Sequence, residues 1–303
     1  QMTSKHEKTL SIPIIDAHQH FWDLSLLKHP WLCEKPLIKF RYGDYSKICK
    51  SFLPSDYLKV SKNQNIIKTI HMEAEWNKSN PVQETIWLHK IFEKFNFPNA
   101  LVAQAWLHEN EAESILKLHS QYPLVRGIRQ KPNYNDKSKP IIKLNNENFR
   151  KGYKLLSKYN LLYELQIPFE YLPDATNLAK SFPDITIILN HTGLPNDRSK
   201  NGILKWKENL TEFSFQYNTA LKISGIGLKN QKWNLKNNGE IINSAIDIFG
   251  IDRCMFASNF PVDSLCATFD EIYDTFFEAT KSLSFEQRKK LFHDNALKYY
   301  RPI

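Results

Sequence analysis

Short runs of apolar, often β-branched residues alternate along this chain with longer stretches in which apolar residues return every three or four positions. Eight short runs stand out, at residues 14–18, 66–73, 100–107, 124–130, 161–167, 185–191, 220–225 and 253–259. Each is apolar on both faces, which predicts a parallel strand covered by helices on one side and by neighbouring strands on the other. The intervening stretches read as helices. Residues 81–95, PVQETIWLHKIFEKF, open on Pro81 and put Ile86, Leu88, Ile91, Phe92 and Phe95 largely on one stripe. Residues 146–159 and 284–300 behave alike, and Ser284 with Gln287 has the spacing of a capping box.

Strand starts fall 24–37 residues apart, except for a first connection of 52 residues, so one sizeable insertion is expected there. Eight βα units in roughly 250 residues is the arithmetic of a (β/α)8 TIM barrel. The rival, a doubly wound open sheet, usually carries a glycine-rich turn after its first strand when it binds nucleotides. Here that strand runs into DAHQHFWD, with no glycine before Gly43. No Pro/Gly/Ser linker divides the chain, which predicts one domain over residues 10–303 behind an N-terminal tail of residues 1–9.

Composition narrows the function classes. The 303 residues are 42% hydrophobic and 13% aromatic, enough apolar volume for a packed core, which excludes whole-chain disorder. A formal charge of +9 would suggest an acidic partner, but Lys supplies most of it and the positive residues are spread along the chain. Nucleic-acid recognition favours clustered guanidinium forks, so no nucleic-acid partner is expected. Four cysteines without CxxC spacing read as reduced thiols. With no secretory h-region and no run of 18 apolar residues, the expected setting is cytoplasmic, with no membrane partner. No residue pattern specifies an oligomeric state.

In a barrel the chemistry sits where the strands end. His18 and His20 close the first run, two positions apart, so their imidazoles can converge on one ion or one substrate atom. An HxH arises easily by chance in a chain with 10 His, and the pair gains weight only from its place at a strand end. His191 closes the apolar run ITIILNHTG. Three histidines from two strands hold a Zn²⁺-type ion or form a network that orients water, and the residues alone leave both readings open.

The segments IIDAHQHFWD, HMEAEW, RGIRQ, ILNHTGLP, LKISGIG, CMFASNFPVD and LFHDNALKYYRP, in that order, resemble the amidohydrolase superfamily. The branch they are most similar to is the amidohydrolase-2 group of sugar lactonases and 2-pyrone-4,6-dicarboxylate lactonases. The resemblance covers residues 14–302 and implies a distorted (β/α)8 barrel. It makes His18 and His20 the strand-one metal pair, His191 the strand-six ligand and catalytic histidine, and Arg129 a clamp for a substrate carboxylate or hydroxyl. At the end of strand eight the family usually has an aspartate, as metal ligand or as the base that activates water, and this chain has Asn259. A neutral amide cannot be a general base near pH 7, although it can orient water or donate to an oxyanion. Asp263, Glu73 and Glu75 are the carboxylates left for that role.

The reaction expected is hydrolysis of a lactone, a sugar lactone first, by water attacking the ring carbonyl. His191, Asn259 and Asp263 are the catalytic candidates, and Trp22, Glu73, Trp76 and Arg129 the substrate-binding ones. The cofactor expectation is a divalent metal such as Zn²⁺ on His18, His20 and His191, with a metal-free site as the alternative, and no organic cofactor. The partner is a small-molecule substrate. Two rival functions remain: decarboxylation or hydration of a small acid on the same barrel, and non-catalytic ligand binding.

Overall fold

The eight apolar runs form eight parallel strands, each hydrogen-bonded to the next in chain order: β1 (Ile14–Gln19), β2 (Ile66–Met72), β3 (Ala100–Gln104), β4 (Val125–Arg129), β5 (Leu162–Leu165), β6 (Ile187–Leu189), β7 (Thr219–Ile223) and β8 (Cys254–Phe256). The computed structural model describes residues 12–303, and the tail expected at residues 1–9 lies outside the described residues. Helices follow the strands: α1 (Pro54–Val60), α2 (Val82–Phe95), α3 (Ala112–Ser120), α4 (Glu147–Lys158), α5 (Leu172–Ser181), α6 (Lys200–Ser214), α7 (Leu235–Phe249) and α8 (Phe269–Ala279). The architecture is the single (β/α)8 barrel that the spacing predicts.

The helices begin where side chains can satisfy their first backbone donors. Asn146, Ser199 and Asn234 accept from the amides of Phe149, Gly202 and Asn237, and Thr268 with Glu271 forms a capping box before α8. Helix α4 buries Phe149, Gly152, Tyr153 and Leu156 on one stripe. A Cβ on Gly152 would lie 1.8 Å from the Leu107 carbonyl oxygen, so only glycine lets this helix sit against the end of the β3 unit.

Strands β8 and β1 are not joined by a regular ladder. Asp16 closes the seam instead: its Oδ1 accepts from the Ser258 amide (2.9 Å), and its Oδ2 accepts from the Ser258 hydroxyl (2.6 Å) and the Tyr57 hydroxyl on α1 (2.7 Å). Above it, Asn259 N donates to His18 O (2.9 Å) and His20 N to Phe260 O (2.8 Å). The barrel is therefore distorted at the seam where two site-bearing strands meet.

Inside the barrel, Ile15, Ala17, Ile70, Met72, Val102, Ile188 and Ala220 form a second apolar cluster with Tyr300. The C-terminal segment expected as one helix is Phe285–Lys289, a wider π-turn at Lys290–Asp294, then Asn295–Tyr300. Its capping box is present, with Ser284 N donating to Gln287 Oε1 and Gln287 N to Ser284 Oγ. Beyond the capping box, Phe292 stacks 4.1 Å from Phe277 and 4.7 Å from Phe256, while Tyr300 enters the barrel floor.

Candidate active site at the barrel mouth

The long first connection does not loop away; it spans the mouth. Trp31 Nε1 donates to Ala74 O beyond β2 (2.9 Å), Arg41 Nη1 donates to Gly225 O beyond β7 (2.8 Å), and the Tyr42 hydroxyl donates to Asp263 Oδ1 beyond β8 (2.9 Å). Under it lies a cavity of about 250 Å³ whose walls include His20, His191, Asn259, Arg129 and Gln166. That is room for on the order of eight waters at ~30 Å³ each, and below the ~300–1,000 Å³ of pockets for drug-sized ligands, so it takes one small molecule.

Three residues in this wall have left-handed backbones: Glu75 (φ 55°), His191 (φ 54°) and Asn259 (φ 54°). Each costs roughly 1–3 kcal/mol outside glycine, and such conformations persist where the surroundings over-determine them, typically at functional sites. At β6 and β8 the chain leaves the ladder just before these turns. The observed strands are accordingly only three residues long, shorter than the apolar runs.

The three histidines converge. His18 lies 5.2 Å from His20 and 4.6 Å from His191, centre to centre. Burial, reinforced by Lys222, His191, His20 and Arg129, holds His18 well below the usual imidazole range. Burial and Arg129 do the same to His20, and burial with Arg41 and Arg129 to His191. All three are neutral near pH 7. His20 Nδ1 sits 2.7 Å from Met72 O, so it donates and leaves Nε2 with its lone pair; His191 Nδ1 pairs with Ser224 Oγ at 2.9 Å. Among the described residues, neither ring nitrogen of His18 has a hydrogen-bond partner, although the side chain is fully buried.

A buried imidazole with both nitrogens unpaired is costly and calls for a partner. Three imidazoles sharing a tetrahedral Zn²⁺ at ~2.0–2.1 Å per bond would have ring centres on the order of 5 Å apart, close to the spacings seen. Among the described residues no three His, Cys, Asp or Glu side chains already stand as a formed metal cluster. The donor set nonetheless fits one ion held by three neutral nitrogens. It is poorer in negative charge than a site with a fourth, carboxylate ligand.

Asn259 lines the cavity, and its Nδ2 donates to Asp263 Oδ1 (2.9 Å), which leaves the amide oxygen as an acceptor. Asp263 does not line the cavity; it is buried behind Asn259, and among the described residues its Oδ2 has no partner. Burial pushes its carboxyl up to about 6, against the pull of Arg41 and the hydrogen bonds from Tyr42 and Asn259. Arg129 is held rigidly. Nε donates to Glu73 Oε1 (2.8 Å), Nη2 to Glu73 O (2.8 Å), and Nη1 to Asn190 Oδ1 (3.2 Å) and Gln166 Oε1 (3.4 Å). Of five N–H donors four are engaged, and one remains for a substrate oxygen.

Glu73 is thus the support of Arg129 and is not in the cavity wall. The two tryptophans expected to face substrate also stand behind it. Trp22 is fully buried, stacks 5.9 Å from His20, and donates to Lys50 O. Trp76 donates to Gln83 Oε1 and packs on His29. Trp31 and Phe40, from the first connection, supply the aromatic lining instead. Sequence reasoning missed Trp31, Phe40, Arg41 and Lys39, because nothing local marks where a long insertion folds back.

It missed Lys222 as well, although a lysine inside the apolar run TALKI was a visible signal. Lys222 is fully buried, pairs with Glu164, and donates to Ala17 O (3.1 Å). Burial lowers its pKa to about 8, against the opposing effect of Glu164. Tyr300 and Asn190 also donate to Glu164, so a satisfied polar network floors the site. Beside β2, the Glu84 carboxylate faces His29 at 3.6 Å and His71 at 3.8 Å, while His71 Nδ1 accepts from Phe21 N (3.1 Å) and pins the chain just after His20.

The amidohydrolase family model, of the amidohydrolase-2 group, matches residues 15–301. An uncharacterised protein of Sinorhizobium fredii, y4mH, is 38% identical over 298 residues, 96% of this chain and 99% of that one. The L-fucono-1,5-lactonase of Burkholderia multivorans is 23% identical over 94% of this chain and 95% of its own length. Among solved structures, a Burkholderia multivorans amidohydrolase with bound zinc superposes with a TM-score of 0.80 at 21% identity, covering 96% of this chain and all of that one.

Proposed function

This chain belongs to the amidohydrolase family, and on that premise we propose that it hydrolyses the ring ester of a small lactone, a sugar lactone first. The observation that carries the reading is the convergence of neutral histidines, a clamped arginine and an amide oxygen on one small cavity at the C-terminal ends of the strands. His18, His20 and His191 are the residues that would hold a divalent ion such as Zn²⁺. When bound, the ion supplies a Lewis acid for the ring carbonyl.

The remaining work falls to this chain's own groups. Arg129 directs its free N–H to a substrate oxygen, and its guanidinium cannot rotate away because Glu73, Asn190 and Gln166 hold it. Asn259 accepts from the attacking water through Oδ1 and so aims the water at the carbonyl carbon. Asp263, buried behind Asn259, holds that amide in place through Oδ1, and Glu75, a carboxylate of the cavity wall, takes the water's proton. The new C–O bond forms from water, the ring C–O bond breaks, and the proton passes to the departing alkoxide, giving a hydroxy acid.

A panel of aldonolactones, followed by titration of released acid with and without added Zn²⁺, tests this. At least one lactone is expected to open well above the buffer rate, and His191→Ala to lower kcat/KM by roughly 10²-fold or more. A panel with no rate above background in either condition refutes the reading.

A further inference from the structure

We propose that the substrate carries a carboxylate in addition to its reacting carbonyl, received by Lys39, Lys131 and Lys139 at the rim of the cavity. This rests on the lactonase reading of the site and narrows it from neutral sugar lactones to lactones of sugar diacids and related ring acids.

The argument starts from the charge on the wall. Among the described residues, five cationic side chains, Lys39, Arg41, Arg129, Lys131 and Lys139, line the 250 Å³ cavity, with Glu75 as the one carboxylate. Two of the cations are already spoken for. Arg129 is neutralised by buried Glu73. Arg41 gives Nη1 to the Gly225 carbonyl, lies 4.2 Å over the Tyr42 ring, and feels the Asp263 carboxylate.

The three lysines are different. Lys131 is in ion-pair range of Glu75 at 3.8 Å, and among the described residues neither Lys39 nor Lys139 has a carboxylate within 4.0 Å. Asp136 lies close enough to feel both, but it is exposed and spends its Oδ1 on the amide and hydroxyl of Ser138 in its own turn. Two separate segments, the first connection and the one after β4, bring these ammonium groups to one opening. Like charges gathered there repel: at Lys131 burial, Arg129 and Lys139 act against the charged form, while Glu75 and Glu73 support it. An incoming anion relieves the repulsion.

Five of the 41 positive residues, far apart in the sequence, thus meet at the mouth. A cleft lined by one sign of charge attracts the opposite sign from solution and orients it on entry. The anion is expected at the rim, while Arg129, deeper in, holds the oxygen next to the reacting carbon. A carboxylate on a six-carbon ring lactone separates these two positions by a few bonds, which suits a cavity this small.

The test uses matched 1,4-lactones of gluco, galacto and manno configuration, each as the aldonolactone and as the aldarolactone, which differ only in CH₂OH against COO⁻. The full chain is assayed with Zn²⁺ present. The aldarolactones are expected to show kcat/KM about tenfold higher (about 1.4 kcal/mol), mostly in KM. The advantage should shrink at ~1 M salt, where the Debye length falls to about 3 Å. It should also shrink in the combined Lys39→Gln, Lys131→Gln, Lys139→Gln variant. In parallel, thermal stabilisation by the open-chain diacids is read for both proteins.

Equal turnover of both members of each pair, indifferent to salt and to the three lysines, overturns the proposal and leaves the lactonase reading standing. No turnover of any lactone, with diacid stabilisation that the triple variant loses, removes the lactonase reading and keeps the anion site. Absence of both removes both.

Discussion

Replacing Gly225 with alanine probes whether the backbone beyond β7 sets the position of His191. Gly225 has φ +59°, and a Cβ there would lie 2.5 Å from His191 Nδ1, 2.6 Å from its Cγ and 2.8 Å from Arg41 Nη2. Ordinary carbon contacts are about 3.5 Å, so the imidazole must retreat by on the order of 1 Å. That breaks the 2.9 Å contact between His191 Nδ1 and Ser224, at a cost of about 1 kcal/mol, and the left-handed backbone adds roughly 1–2 kcal/mol for a residue with a Cβ. Gly225→Ala should therefore unfold in urea with about 2–3 kcal/mol less stability. Misplacing a reacting group by ~1 Å can cost 10²-fold in rate, so kcat/KM on the lactone found in the panel should fall by about that factor.

Gly250 supplies the control. It too has a positive φ, +83°, but a Cβ there meets nothing within 4 Å, and it caps α7 away from the mouth. Gly250→Ala should lose a comparable share of stability through backbone strain alone and keep its turnover. If Gly225→Ala retains wild-type kcat/KM, or if both variants lose activity equally, the claim that this glycine makes room for His191 is wrong.

Two further predictions concern buried charge. Glu73→Gln leaves the Arg129 guanidinium buried without its counter-ion, and breaking such a pair costs about 3–5 kcal/mol. The variant should melt earlier and show a raised KM, and an unchanged urea midpoint would show that Glu73 does not support Arg129. Glu84 is drawn down to about 2: burial opposes ionisation, but the imidazoles of His29 and His71 outweigh it. His119, driven down to about 4 by burial, stays neutral. Both groups bind protons more readily unfolded than folded, so stability is full near pH 7. It falls first as pH drops from 6.5 toward 4 through His119, then from 4.5 toward 2 through Glu84, by roughly 3 kcal/mol each. Urea midpoints measured from pH 7 to pH 3 check this, and a flat profile refutes it.

Much of the barrel is legible before any coordinates. Parallel strands covered by helices must be apolar on both faces, so the eight runs announce themselves, and the Ser284–Gln287 box is local chemistry that needs no tertiary partner. The positions of His18, His20, His191, Asn259 and Arg129 follow from the same periodicity, because each closes a run. What periodicity does not reveal is which strand-end residues face the cavity and which stand behind it. Glu73, Trp22 and Trp76 read as lining and are supports. Asp263, four residues past Asn259, is buried behind it, because the left-handed turn at Asn259 redirects the chain.

The sequence by itself determined the count and order of βα units, the polar residues at the strand ends, and the neutral amide at position 259. Only the tertiary structure decided how those ends are used. It laid the first connection across the mouth, so that Trp31 and Arg41 reach residues beyond β2 and β7 and Phe40 lines the cavity with them. It also gathered dispersed lysines at one rim and buried Lys222 against Glu164. The reason is physical: strand and helix patterns are written in neighbouring residues. The path of a long loop and the sum of charges at a cavity depend on contacts between residues far apart in the chain, which no local spacing records.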